Sequence, residues 1–139
     1  MAVVDADGDA TASQTLGVSI VGGASLNPTA GADTFVFTNA DTDGLLAGVT
    51  YNVASGFASG TDSLVFPTAG TDTNYAENLA PEATVSDFVT AADTALNGAV
   101  QFYFGVVGSD GYLATDSDGN GITSVVVLAG VTDMGFIDL

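Results

Sequence analysis

A chain of 139 residues is long enough for one domain with a modest core and too short for two independent ones. It contains no lysine, arginine, histidine or cysteine, and its 17 acidic residues give a formal net charge of −17. These absences exclude nucleic-acid binding, which needs cations to release phosphate counterions, adhesion to anionic membrane surfaces, and disulfide, thiolate, iron–sulfur, haem and ordinary zinc chemistry.

Metal chemistry is thereby confined to oxygen ligands, meaning calcium, magnesium or manganese. Nucleophilic triads lack a base. A carboxylate pair of the glycosidase kind is formally open, but the acidic residues lie in Gly/Thr/Ser loops and tryptophan is absent, so the chain is read as a non-enzyme. Carboxylates without an internal cation repel one another, and divalent cations or salt are the cheapest remedy; the plain alternative is a charge that only keeps the protein soluble. No apolar run approaches the ~20 residues of a membrane span, so no membrane insertion is expected. The opening MAVVDADGD has neither the basic region nor the apolar core of a Sec-type signal.

Along the chain, Asp5, Asp7 and Asp9 set an alternate-aspartate pattern, without the following glycine that a tight cation loop uses. Leu16, Val18 and Ile20 then alternate with Gly17 and Ser19, the period of a half-buried strand over Thr15–Val21. Gly22-Gly23 and Asn27-Pro28 punctuate the next stretch. Residues 1–27 are therefore read as an N-terminal strand or arm that either folds back or is exchanged between subunits, and residues 28–139 as a single β-rich domain.

The pattern Gly-x-Asp-x-apolar-Val-Phe occurs twice, at Gly31–Phe37 and Gly60–Phe66, and predicts two strands each led in by a turn carrying Asp33 or Asp62. Between them lie a polar loop, Asn39–Gly48, with Asp41 and Asp43, and a short strand, Val49–Val53. Pro67–Asn78 reads as a long loop. Val85, Phe88, Val89, Ala92 and Leu96 form one apolar stripe at helical spacing. With Thr84 or Ser86 to cap it and Asn97-Gly98 to stop it, the one helix is placed at about residues 82–97, packed on the sheet.

Val100–Val107 and Ile122–Leu128 read as the two strands of a hairpin around an acidic centre. Asp116, Asp118 and Asn120 stand at i, i+2 and i+4 ahead of Gly121, the spacing that turns alternate oxygens inward on a hard cation. Position twelve counted from Asp116 is Val127 and not glutamate, so the loop is no EF-hand. The same residues also make an ordinary solvated turn. The metal candidates are Asp116, Asp118 and Asn120, then Asp110, Asp33 and Asp62, with Asp5, Asp7 and Asp9 the weakest, and calcium is the expected cofactor.

GADTFVF and GTDSLVF resemble the Gly-x-Asp-x-hydrophobic half-repeats of RTX-type, type I-secreted bacterial proteins, here in two separated copies. Gly111-Tyr112-Leu113, Asp116–Gly121, Leu128–Val131 and the terminal Phe136-Ile137-Asp138-Leu139 look like the closing module of type I-secreted surface proteins. The resemblance implies calcium-bound β-structure, an extracellular or cell-surface location and an uncleaved C-terminal export signal read by a type I secretion apparatus. The expected fold is mainly β, an antiparallel β-sandwich or roll-like sheet with one helix. Two functions are expected on this basis: a structural subunit that self-assembles into a surface layer or filament, its residues 3–21 donated as a strand to a neighbouring copy, or a monomeric calcium-binding cap and secretion domain.

Overall fold

The structure, a computed structural model, describes residues 13–16, 25–37, 50–53 and 56–139. Among the described residues nine strands form two sheets: β1 (Ser13–Leu16), β3 (Ala32–Val36) and β5 (Ser63–Val65) in one, and β2 (Ser25–Leu26), β4 (Thr50–Val53), β6 (Tyr75–Glu82), β7 (Phe102–Val107), β8 (Asp110–Thr115) and β9 (Ser124–Leu128) in the other. One helix, α1 (Val85–Ala95), and a closing 3-10 turn, Phe136–Asp138, complete the described elements. Among the described residues the protein is mainly β with a single α-helix, as its composition and periodicity predict.

From β1 to β5 the chain alternates between sheets, and each strand pairs in parallel with the strand two before it: β1 with β3, β3 with β5, β2 with β4. This winding is a two-sheet coil. The expected antiparallel pairing holds only for β7–β8 and β8–β9. A strand that returns to its own sheet after crossing the other one arrives in the same direction, so the coil pairs in parallel by construction. The larger sheet has the order β2-β4-β9-β8-β7-β6, in which β9 continues the coil by pairing in parallel with β4.

Strand alternation places the core. Phe35, Leu64, Phe104, Leu113, Val126 and Leu128 are buried between the sheets, where Phe37 stacks on Phe66 at 4.8 Å between ring centres and Phe66 meets Phe102 at 5.4 Å. The residues between them on β7–β9, Tyr103, Ala114 and Val125, face the other way and are covered by Phe88 and Ala92 of α1 and by Leu96, which caps its C-terminus. Of the predicted stripe, Phe88, Ala92 and Leu96 are core and Val89 is half-buried, while Val85 at the start of the helix is exposed. Thr84 caps the helix, its hydroxyl accepting from the Asp87 N–H at 3.1 Å. Gly105 lets the helix sit this close: a Cβ there would lie 2.8 Å from the Phe88 ring.

Two elements differ from expectation. The predicted loop 67–78 ends at Asn74, and its last residues together with the predicted helix start at about residue 82 give way to β6, which runs to Glu82 and forms a β–α–β crossover with α1 and β7. Its sequence, YAENLAPE, lacks alternation because β6 is an edge strand, where Pro81 is tolerated and one side faces water. The predicted hairpin is a three-stranded meander, because Asp110–Thr115 is itself a strand. Gly108 at φ +66° begins the two-residue turn from β7 to β8, the glycine-first hairpin geometry.

Candidate functional site

The coil is held at its turns by aspartates. Asp33 accepts from the Thr29 N–H, which binds Oδ2, and from the Thr29 hydroxyl, 2.9 Å from Oδ1. One coil later Asp62 repeats the arrangement: its Oδ2 accepts from the Ala58 N–H at 2.8 Å, again four residues back, and its Oδ1 accepts from the N–H of Asp33 at 2.9 Å. Each Gly-x-Asp copy therefore closes its own turn, and Asp62 also fastens its coil to the one before. Buried N–H groups left without acceptors cost free energy, and a carboxylate satisfies two at once.

Asp138, from the terminal segment, extends this series. Its Oδ1 accepts from the Gly60 N–H at 2.6 Å and its Oδ2 from the Ser59 hydroxyl at 2.7 Å and the Gly135 N–H at 3.1 Å. It is 1% exposed, while the adjoining Ile137 is 75% exposed. In the sequence this acidic residue reads only as part of a terminal export signal, with no sign of its structural bonds. Its partners Ser59 and Gly60 lie 79 and 78 residues away, beyond the reach of local pattern.

The structure separates the predicted cation ligands. Asp116 turns inward, 1% exposed, and its Oδ1 accepts from the Gly119 N–H at 2.7 Å. Asp118 and Asn120 are exposed, and Asp118 Oδ1 accepts from the Asn120 N–H at 3.0 Å. The loop thus closes on its own hydrogen bonds in the manner of Asx turns. Asp110 stands at the far end of β8, roughly 20 Å from Asp116 along an extended strand, where its carboxylate accepts from the Gly130 N–H at 2.9 Å. Among the described residues no three acidic side chains are grouped to hold a metal ion. Asp5, Asp7 and Asp9, with Asp41 and Asp43, lie outside the described residues.

Around Asp116 the ends of β8 and β9 carry a buried hydroxyl network: Thr115 and Ser124 pair at 2.5 Å, and Thr123 bonds the Ser117 hydroxyl and the Thr115 carbonyl at 3.1 and 3.0 Å. Asn74 pins the preceding loop against the start of β7. Its side chain accepts from the Thr71 N–H at 2.7 Å, and its carbonyl accepts from the N–H groups of Gln101 and Phe102 at 2.8 and 3.0 Å. The 67–74 excursion is thereby fixed over this end of the sandwich. Comparison with protein-family models, curated proteins and solved structures finds no match to this chain.

Proposed function

We propose that this protein is an extracellular structural subunit that self-assembles by adding coil to coil, with calcium as the counter-charge. The observation that supports it is the asymmetry of the coil. Among the described residues β1 and β2 are both terminal in their sheets, at the same end of the stack, while the β5 side is closed by the Phe136–Asp138 turn bonded to Ser59 and Gly60. A parallel edge of this kind pairs readily with another chain, and this sequence has no lysine with which to blunt it.

In the single chain β1 pairs with its own β3, so donation to a neighbour would exchange that pairing for the same one in trans. A head-to-tail contact that does not close produces a filament. The net charge of −17 opposes association until screened. Exposed carboxylates such as Asp72, Asp118 and Asp133 are available to bridging calcium. The second reading, a monomeric calcium-binding cap and secretion domain, draws on the exposed Phe136 and Ile137 beside the anchored Asp138.

The test is light scattering and electron microscopy in chelator and in millimolar calcium, on the intact chain and on one lacking residues 1–21. Calcium-dependent filaments that the truncation abolishes support the donated strand. Filaments unchanged by the truncation rule it out, and a monomer in all conditions rules out the assembling subunit.

A further inference from the structure

The sequence holds two Asn-Gly pairs, Asn97-Gly98 after α1 and Asn120-Gly121 between β8 and β9. Such a pair carries its own chemistry. The peptide nitrogen of the glycine can attack the asparagine Cγ by closing a five-membered ring, and glycine, with no Cβ, leaves that nitrogen unhindered. Both asparagines are exposed, and both glycines have positive φ, +82° at Gly98 and +117° at Gly121. Sequence and exposure do not rank the two pairs; their hydrogen bonds do.

At Asn97 the side-chain carbonyl is the group that is held. Its Oδ1 accepts from the N–H groups of Ala99 and Val100, each at 3.1 Å. Attack at Cγ pushes negative charge onto that oxygen, and two fixed backbone donors are the arrangement that stabilises such an oxyanion. Among the described residues the Gly98 N–H donates to no acceptor, so its proton is free to leave. A Cβ on Gly98 would meet nothing within 4 Å, and the surroundings of the reacting nitrogen are open.

At Asn120 the arrangement is reversed. Its Nδ2 donates to the Asp118 carbonyl at 3.2 Å and its backbone N–H to the Asp118 carboxylate at 3.0 Å. Asp93 of α1 stands beside Gly121, its Oδ1 3.5 Å from where a Cβ would lie. Carboxylates on two sides oppose both deprotonation of the Gly121 N–H and charge on the attacked amide. One effect runs the other way: the carbonyl end of α1 disfavours negative charge near Asn97. At an exposed helix end that amounts to less than about tenfold, whereas one oxyanion donor in an enzyme is worth on the order of 10²–10³ in rate. Two donors, discounted for their exposure to water, outweigh it.

We propose that Asn97-Gly98 is a self-modification site, at which the native fold promotes deamidation while it protects Asn120-Gly121. Hydroxide takes the Gly98 amide proton, the nitrogen bonds to Cγ, the Cγ–Nδ2 bond breaks, and ammonia leaves with a proton from water. Water then opens the succinimide at one carbonyl to give aspartate or at the other to give isoaspartate. Either product adds a carboxylate to a chain with no cationic side chain, and isoaspartate lengthens the turn from α1 to β7 by one backbone atom. The site is complete within one chain and does not depend on the proposed assembly.

The experiment ages the whole chain in mildly alkaline buffer, folded and in urea, and follows both pairs by mass spectrometry of chymotryptic peptides. The readouts are the mass gain of amide-to-acid conversion and, by electron-transfer fragmentation, isoaspartate. In the folded chain Asn97 is expected to react about tenfold faster than Asn120, and the gap should close in urea, where neither pair keeps its partners. Only the unsubstituted chain is used, so no variant has to fold. A folded-state gap below about threefold, a faster Asn120, no conversion at Asn97, or a gap that urea leaves intact would overturn the proposal.

Discussion

The two halves of the molecule bury their strands differently. In the coil, β3 alternates, with Phe35 buried between half-exposed neighbours, whereas β7 is buried along nearly its whole length. β3 and β5 have a core on one side only, so their order depends on turns fastened by Asp33, Asp62 and Asp138. The meander strands have a core on both sides, the opposite sheet within and α1 without. Apolar area thus stabilises the second half directly, while the first half adds charge-assisted hydrogen bonds at its corners.

One shared feature sets the largest expected effect. Phe35 and Leu64 from the coil lie in the same buried cluster as Phe104 and Leu113 from the meander, so the halves should unfold together. Phe104→Ala should cost about 3–5 kcal/mol and Leu64→Ala about 2–5 kcal/mol, both moving a single transition in thermal or denaturant unfolding. Two separate transitions, each moved by only one of the substitutions, would break the comparison as drawn.

The helix-covered face is tested next by Gly105→Ala, whose Cβ would lie 2.8 Å from the Phe88 ring. Overpacking of that kind typically costs about 1–3 kcal/mol, and pairing it with Phe88→Leu should recover part of the loss in chemical denaturation. The coil corner is tested by Asp62→Ala, which strips acceptors from the N–H groups of Asp33 and Ala58. About 1–3 kcal/mol is expected for a buried group so orphaned. Amide exchange should accelerate at Asp33 and Ala58 while protection in β7 and β8 persists; uniform loss across both halves would show that the aspartates do not act locally.

The smallest effect concerns pH. The single proton of the Tyr75 hydroxyl is shared between the Met134 carbonyl at 2.6 Å and Glu77 at 3.0 Å. Burial, and after it Glu77, push its pKa above the ordinary value near 10. The folded chain therefore holds this proton more tightly than the unfolded one. Its contribution is complete below pH ~10 and is lost as pH rises beyond that, since the unfolded chain releases its proton first. Tyr75→Phe should lower stability at neutral pH and flatten the alkaline limb of a melting-temperature profile; an unchanged limb would remove Tyr75 as its source.

Local chemistry by itself determined a good part of this protein. The stripe from Val85 to Leu96 specified α1, and its members Phe88, Ala92 and Leu96 the buried face, because helical period and a Thr84 cap act within a few residues. The two Gly-x-Asp copies specified β3 and β5. Alternate-oxygen spacing, by contrast, placed Asp116, Asp118 and Asn120 in one loop but left open which way each points, and the fold turned Asp116 in and Asp118 out. Tertiary structure alone decided that β6 exists, since an edge strand with water on one side needs no apolar period and takes its order from β7. It also decided the parallel winding of the coil and the anchoring of Asp138 on Ser59 and Gly60. Pairing direction and contacts some eighty residues apart arise from how elements return to one another in space, which no local run of side chains encodes.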